Sequence, residues 1–291
     1  MARRQPLRFR VEQLARELVE LRARAGKTIA QVIEDTELDQ STIYRAEHPT
    51  TRTSNRSTVA KLLDCYGVTD QRRRARLLAL LKPPATDPPD WLHVYDDVMD
   101  KPYVEYVTLE TDAAEVCAYE SLFLPGPIQT FEYATAAVAG AFPALSAERV
   151  RRLAEIRQLR QQALVRDRHP LRLTAVVDEA AVRRVVGGPQ VMRQQLRHIV
   201  EQSASEQVTM RVVPYEAGAH PGMSGSFSVV TFLPGTDLEP VVFIESTAGD
   251  LLREDEISVA RYLDMYHRVA ASALSAADSV RLIDRIARQL K

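Results

Sequence analysis

Cysteine is scarce. The two present, Cys65 and Cys117, lie far apart, so neither a disulfide scaffold nor a cysteine-based metal cluster has the residues it needs. Both are expected to be plain buried thiols in a reducing compartment. No apolar run reaches the roughly 18 to 20 residues of a membrane helix. The opening MARRQPLRFRVEQ lacks the apolar stretch of a signal peptide, so a cytoplasmic location is expected. The six histidines are scattered, without the spacing of a metal site or a catalytic constellation. Gly187, Gly188 and Pro189 lack the Lys and Ser/Thr of a phosphate-binding loop. Ser224 is not a nucleophile elbow, because Ser226 stands where the second glycine is required. No cofactor, no metal and no enzymatic activity are expected.

What remains is a chain of 291 residues, 45% hydrophobic and 26% charged, a globular balance with room for two cores. Its net charge of −1 conceals an asymmetry. Residues 1 to 82 carry 17 Lys/Arg against 10 Asp/Glu, a net of +7, which leaves −8 for the remainder. A basic head on an acidic body points to a polyanion at one end. Between them KPPATDPPD, Lys82 to Asp90, holds four prolines in nine residues and can be neither helix nor central strand. The expected domains are therefore 1–82, a linker at 83–92, and 93–291.

The head reads as five short helices. Leu14, Leu18 and Leu21 recur at helical spacing over Val11 to Ala25, with Gly26 as C-cap. Thr28 caps a second helix running to Thr36, and Glu37 and Leu38 form a tight connection. Asp39 caps a third helix, Gln40 to Glu47. A polar loop, Pro49 to Asn55, precedes helices over Ser57 to Cys65 and Asp70 to Leu81. Two short helices joined by a tight turn match what the DNA major groove admits, a single helix entered by its N-terminal end. The phase of QSTIYRAE turns Ile43 and Ala46 inward and Gln40, Ser41, Tyr44 and Arg45 outward. Gln pairs with adenine, Arg with guanine, and Ser41 and Thr42 suit bases or phosphates. Arg3, Arg4, Arg8 and Arg10 precede the first helix as a basic arm, and Arg52 and Arg56 follow the third; all could reach phosphates. Glu34, Asp35, Glu37 and Asp39 oppose them. A bundle used only for protein contacts is the competing interpretation. One such domain reads a short half-site, so a DNA-binding form is expected to be a homodimer.

The segment ELRARAGKTIAQVIEDTELDQSTIYRAE resembles the Xre, or phage-repressor, type of helix-turn-helix. The resemblance implies an ion pair between an Arg late in the first helix and a Glu ending the recognition helix, here Arg22 and Glu47, as scaffold. Where the family usually has a phosphate-contacting Gln this chain has Ile29, and the usual turn glycine is Glu37.

Past the linker the pattern becomes mixed. Strands are expected at Ala114–Ser121, Leu171–Val177, Val208–Pro214, Ser226–Phe232 and Val241–Glu245, and helices at Gln129–Ala139, Ala147–Arg166, Pro189–Glu201, Glu254–Ala273 and Ala276–Leu290. That is an α+β domain with a central sheet and helical cover, behind an all-α head. In EAGAHPGMSGSF, His220, Gly222 and Ser224 form a candidate ligand loop, alongside its plainer interpretation as a glycine-rich connection. Asp178 and Glu245 are strand-end carboxylates, and Asp178 is also placed to cap a following helix. The ordered features WL at 91–92, YESLFLPGPIQTFEYA, LSAERVRRLAEIRQLRQQAL, VVDEAAVRRVVGGPQVMRQQL, VTMRVVPYEAGAHPGMSGSFSVVTF and VVFIEST resemble the domain that follows an Xre head in actinobacterial regulators, WhiJ-like proteins among them. That likeness implies a DNA-binding transcription regulator working antitoxin-fashion with a small protein encoded nearby, in development or secondary metabolism. The alternatives are an adaptor that binds no DNA and a regulator that senses a small ligand.

Overall fold

In a computed structural model the chain divides into two compact units, Met1–Asp87 and Pro88–Lys291. The structure describes residues 5–48, 55–81, 89, 91–95, 97–234, 236, 238–246 and 249–290.

The first unit is helical: α1 Gln5–Arg24, α2 Ile29–Thr36, α3 Gln40–Glu47, α4 Arg56–Cys65 and α5 Gln71–Ala79. The starts of α2, α3 and α4 are fixed by side chains that accept from orphan backbone N–H groups. Thr28 forms a capping box with Gln31, Asp39 accepts from the N–H of Thr42, and Asn55 accepts from that of Thr58. Leu14, Leu18 and Leu21 of α1 meet Val32, Ile43, Ala46, Val59, Leu62 and Leu63 in one core. α1 begins at Gln5, earlier than the expected Val11, so Arg8 and Arg10 belong to the helix and not to an arm preceding it. Arg3, Arg4 and Arg52 lie outside the described residues.

The second unit carries a six-stranded mixed sheet in the order β3-β2-β1-β4-β5-β6, built from β1 Glu115–Glu120, β2 Arg172–Asp178, β3 Val208–Val213, β4 Phe227–Thr231, β5 Val241–Ile244 and β6 Leu251–Arg253. β1, β2 and β3 are parallel, while β4, β5 and β6 run antiparallel to their neighbours. Helices α6 Lys101–Asp112, α7 Phe131–Ala141, α8 Ala147–Arg160, α9 Gln162–Val165, α10 Glu179–Arg183, α11 Pro189–Gln202, α12 Glu256–Ser272 and α13 Ala276–Gln289 cover it. Period-two alternation separates the faces. Val116, Ala118, Leu173, Ala175, Val177 and Met210 enter one core, with residues of α6, α7, α11 and α13. Tyr119, Val176, Phe227, Val229 and Val242 enter another, under Val259, Tyr266 and Val269 of α12.

Three features depart from the pattern expected of the sequence. The long helix from Ala147 breaks at Gln161 into α8 and α9. α6 and β6 were not foreseen. α6 carries Tyr103, Tyr106, Val107, Thr108 and Glu110 all buried, so it shows no clean apolar stripe. β6 has three residues, two of them exposed. Both cysteines are free and partly buried, and desolvation pushes the Cys117 thiol up to about 12. Among the described residues no helix is long and apolar enough to cross a membrane.

Candidate nucleic-acid interface

The helix that would enter the groove is held from behind. Arg22 Nε donates to Glu47 Oε1 at 2.8 Å and its Nη2 to Oε2 at 2.9 Å, while the Tyr66 hydroxyl donates to Oε1 at 2.9 Å. Glu47 is buried at the end of α3, whereas Arg22 keeps 22% of its side chain exposed. The hydrogen bond to Glu47 raises the Arg22 guanidinium above its usual range, and burial beside Glu47 raises the Tyr66 phenol. A bidentate pair with a third donor fixes both rotation and height of α3 on α1. Ile43 and Ala46 point into the core from the same helix.

On the outer side the structure sorts the candidate readers into two groups. Gln40, Tyr44 and Arg45 are exposed, Tyr44 to 60%. Arg45 lies back along its helix, donating to the Ser41 carbonyl at 3.2 Å and to Thr42 Oγ1 at 3.0 Å. Ser41 and Thr42 are already engaged. Their hydroxyls donate to the two oxygens of Asp39, at 2.5 and 2.8 Å, beside the Thr42 N–H. These donors, Ser41 first, hold the Asp39 carboxyl well below the usual range. A carboxylate therefore caps the N-terminal end of α3, where its charge opposes an approaching anion.

The other acidic residues differ among themselves. Asp35 pairs with Lys27 and accepts a long contact from Cys65, and the Lys27 bond lowers its carboxyl. Glu34 and Glu37 are exposed. Glu37 takes the left-handed conformation, φ 57°, that the usual glycine would adopt without strain. Ile29 packs against the helical core and so leaves no polar group for phosphate. Arg56, the first residue of α4, is exposed. His48 was not foreseen: its ring stacks on Tyr44, centroids 4.4 Å apart and 16° between planes. The signal for it was the four-residue spacing on one helix.

In the second unit the structure brings together His220 and Asp178 but not Glu245. His220 Nε2 lies 3.4 Å from Asp178 Oδ2, while Asp178 Oδ1 accepts from the Ala180 N–H to cap α10. Tyr119, distant in sequence, presents its ring edge-on to His220 at 5.8 Å. Gly222 is pressed on that ring; a Cβ there would come within 2.4 Å of it. Ser224 is exposed and donates to the Pro221 carbonyl. Glu245 acts elsewhere: with desolvation as the larger cause, its charge helps push the Glu120 carboxyl up to about 8. Among the described residues no group of three or more His, Cys, Asp or Glu could hold a metal ion.

The two units together define a protein of helix-turn-helix class, the architecture of DNA-binding regulators, joined to an α+β domain with a mixed sheet. A helix-turn-helix domain model matches residues 13–77, and a model described as a domain of unknown function, DUF5753, matches residues 103–285. The second match spans more than half of the chain, which belongs to that family. No curated protein and no solved structure matches the chain.

Proposed function

We propose that this chain is a sequence-specific DNA-binding transcription regulator that binds as a homodimer and is controlled through its second unit by a small protein partner. The observation that carries this reading is the outward set Gln40, Tyr44 and Arg45 on a helix locked from behind by Arg22, Glu47 and Tyr66. Ser41 and Thr42 shape the helix start through Asp39 and contribute less to base contact. Backbone affinity comes from Arg56 and from the basic residues Arg3, Arg4 and Arg52. The likeness to WhiJ-type actinobacterial regulators supports an Xre, antitoxin-like mode of action in the cytoplasm, in development or secondary metabolism. This reading makes the second unit a regulatory module rather than an enzyme, in keeping with the Ser224 hydroxyl being turned to the Pro221 carbonyl and not to the His220–Asp178 pair.

The test is fluorescence anisotropy of the full chain on DNA from its own promoter over a salt series. Specific retention with affinity falling linearly on a log–log plot against salt is expected. Arg45→Ala should weaken binding by about 1–3 kcal/mol and relax preference at one base pair. An adaptor that binds proteins is favoured by one observation, the ionised Asp39 at the start of α3. Failure to retain any promoter fragment at low salt would overturn the DNA reading in its favour.

A further inference from the structure

The loop joining β3 to β4, residues 214–226, crosses the carboxyl ends of β1 and β2. In open sheets with parallel strands that is where ligands are received. It is secured at both ends. The Tyr215 N–H donates to the buried Glu179 Oε2 at 2.9 Å, and the Ser121 N–H donates to Ser226 Oγ at 3.1 Å. Between these anchors Gly218 and Gly225 take positive φ, 67° and 134°, and Gly222 lies flat on the Tyr119 ring.

Under the loop two polar atoms are buried without a partner among the described residues, His220 Nδ1 and Tyr119 Oη. The His220 side chain is 4% exposed and Tyr119 is fully buried. Native proteins rarely bury polar atoms unsatisfied, because each forfeits its hydration. Here two belong to rings 5.8 Å apart in one place. The Asp178 carboxylate can only accept, so in the neutral ring the proton sits on Nε2 facing it and Nδ1 is the acceptor. The Tyr119 phenol stays protonated, its ionisation opposed first by burial and then by the charges of Asp178 and Glu120. One acceptor and one hydroxyl donor therefore lie on neighbouring buried rings under the loop, beside the Asp178 carboxylate.

We propose that His220 Nδ1 and Tyr119 Oη form a binding site for an uncharged small molecule bearing an alcohol group, admitted when loop 214–226 lifts. The alcohol O–H donates to Nδ1 and its oxygen accepts from Tyr119, which satisfies both orphans with one group. Asp178, whose Oδ2 lies 3.4 Å from His220 Nε2, makes the site hostile to an anion. The site stands independently of DNA binding, and its test contains no DNA, so the two readings fail separately.

The experiment is nitrogen-detected NMR of the full chain with 15N-labelled histidine, titrated separately with ethylene glycol, erythritol and ribose, and with acetate as the anionic control. His220→Gln identifies the His220 resonances by their loss. A saturable shift of His220 Nδ1 with at least one alcohol and none with acetate is expected. Tyr119→Phe, which removes one oxygen and keeps the packed ring, should weaken that binding about tenfold, while Ser224→Ala should leave it unchanged. The proposal is overturned if no alcohol moves Nδ1, the behaviour of a single trapped water, if acetate moves it equally, or if Tyr119→Phe binds as tightly as the parent.

Discussion

Each unit contains a buried Arg–Glu pair closed by tyrosine hydroxyls, and the two are not equivalent. In the head, Arg22 and Glu47 meet with one side still wet, and the Tyr66 hydroxyl joins them. In the second unit, Arg160 Nε and Nη2 donate to both oxygens of Glu110 at 2.6 and 2.8 Å. Arg160 Nη1 also donates to the Tyr103 hydroxyl at 3.0 Å, and the Tyr106 hydroxyl donates to Glu110 at 2.9 Å. Arg160 and Glu110 are 6% and 1% exposed, and Gly126 lies so close that a Cβ would meet the guanidinium at 2.6 Å. The first pair orients one helix on another and tolerates water. The second ties α8 to α6 in the dry interior, where losing either charge strands the other.

Glu110→Gln, which leaves Arg160 buried beside a neutral amide, should therefore destabilise the second unit by about 3–5 kcal/mol in chemical denaturation. Glu47→Gln should destabilise the head by roughly 1.5–3 kcal/mol, less because Arg22 can turn to solvent. Equal losses, or the reverse order, would break the distinction between the wet pair and the dry one.

Acid titration sharpens the same contrast, since the second unit also holds carboxyls kept protonated by burial. Glu120 is raised to about 8, by desolvation and then Glu245, and Asp250 to about 6, by desolvation. A carboxyl raised in the folded state binds its proton more tightly there than in the unfolded chain, so its contribution is complete below the unfolded value near 4 and lost as pH climbs toward 8. The second unit should lose stability from pH 5 to 8, and Glu120→Gln should flatten that slope in urea melts at several pH values. A slope unchanged by the substitution would remove Glu120 as its source. The smallest effect belongs to the head: Glu37→Gly relieves a left-handed residue and should raise its stability by about 1 kcal/mol in chemical denaturation, with tighter DNA binding because one opposing charge is gone.

The two pairs also show why the sequence was legible in one unit and opaque in the other. Arg22 and Glu47 fall at positions that the helix-turn-helix resemblance marks, within a short segment whose caps, Thr28 and Asp39, announce each helix. Nothing local connects Arg160 with Glu110, fifty positions apart, and a helix bearing a buried Glu and two buried tyrosines looks too polar to be core. The strands β1 to β5 were visible because each buries β-branched residues, whereas three-residue β6 has no periodicity to detect. In the sheet-end loop His220 and Gly222 stood out by composition. Tyr119 did not, because its role arises only when β1 passes beneath a loop that begins more than ninety residues later. Ser41 looked like a reader from its helical phase and Thr42 from its hydroxyl. That their hydroxyls turn back to Asp39 is a matter of rotamers that phase alone does not contain.

The outer margin of β3 is sealed by the turn between α12 and α13. The Leu274 N–H donates to the Val212 carbonyl, the Val212 N–H donates to Ser279 Oγ, and Arg211 donates to the carbonyls of Ala273 and Leu274. An open sheet has two margins, and among the described residues the one at β3 is occupied around Val212, which favours β6 for an added strand. Copies of this chain that joined sheet to sheet there would meet β6 against β6, an arrangement that stops at two members and cannot propagate into a fibre.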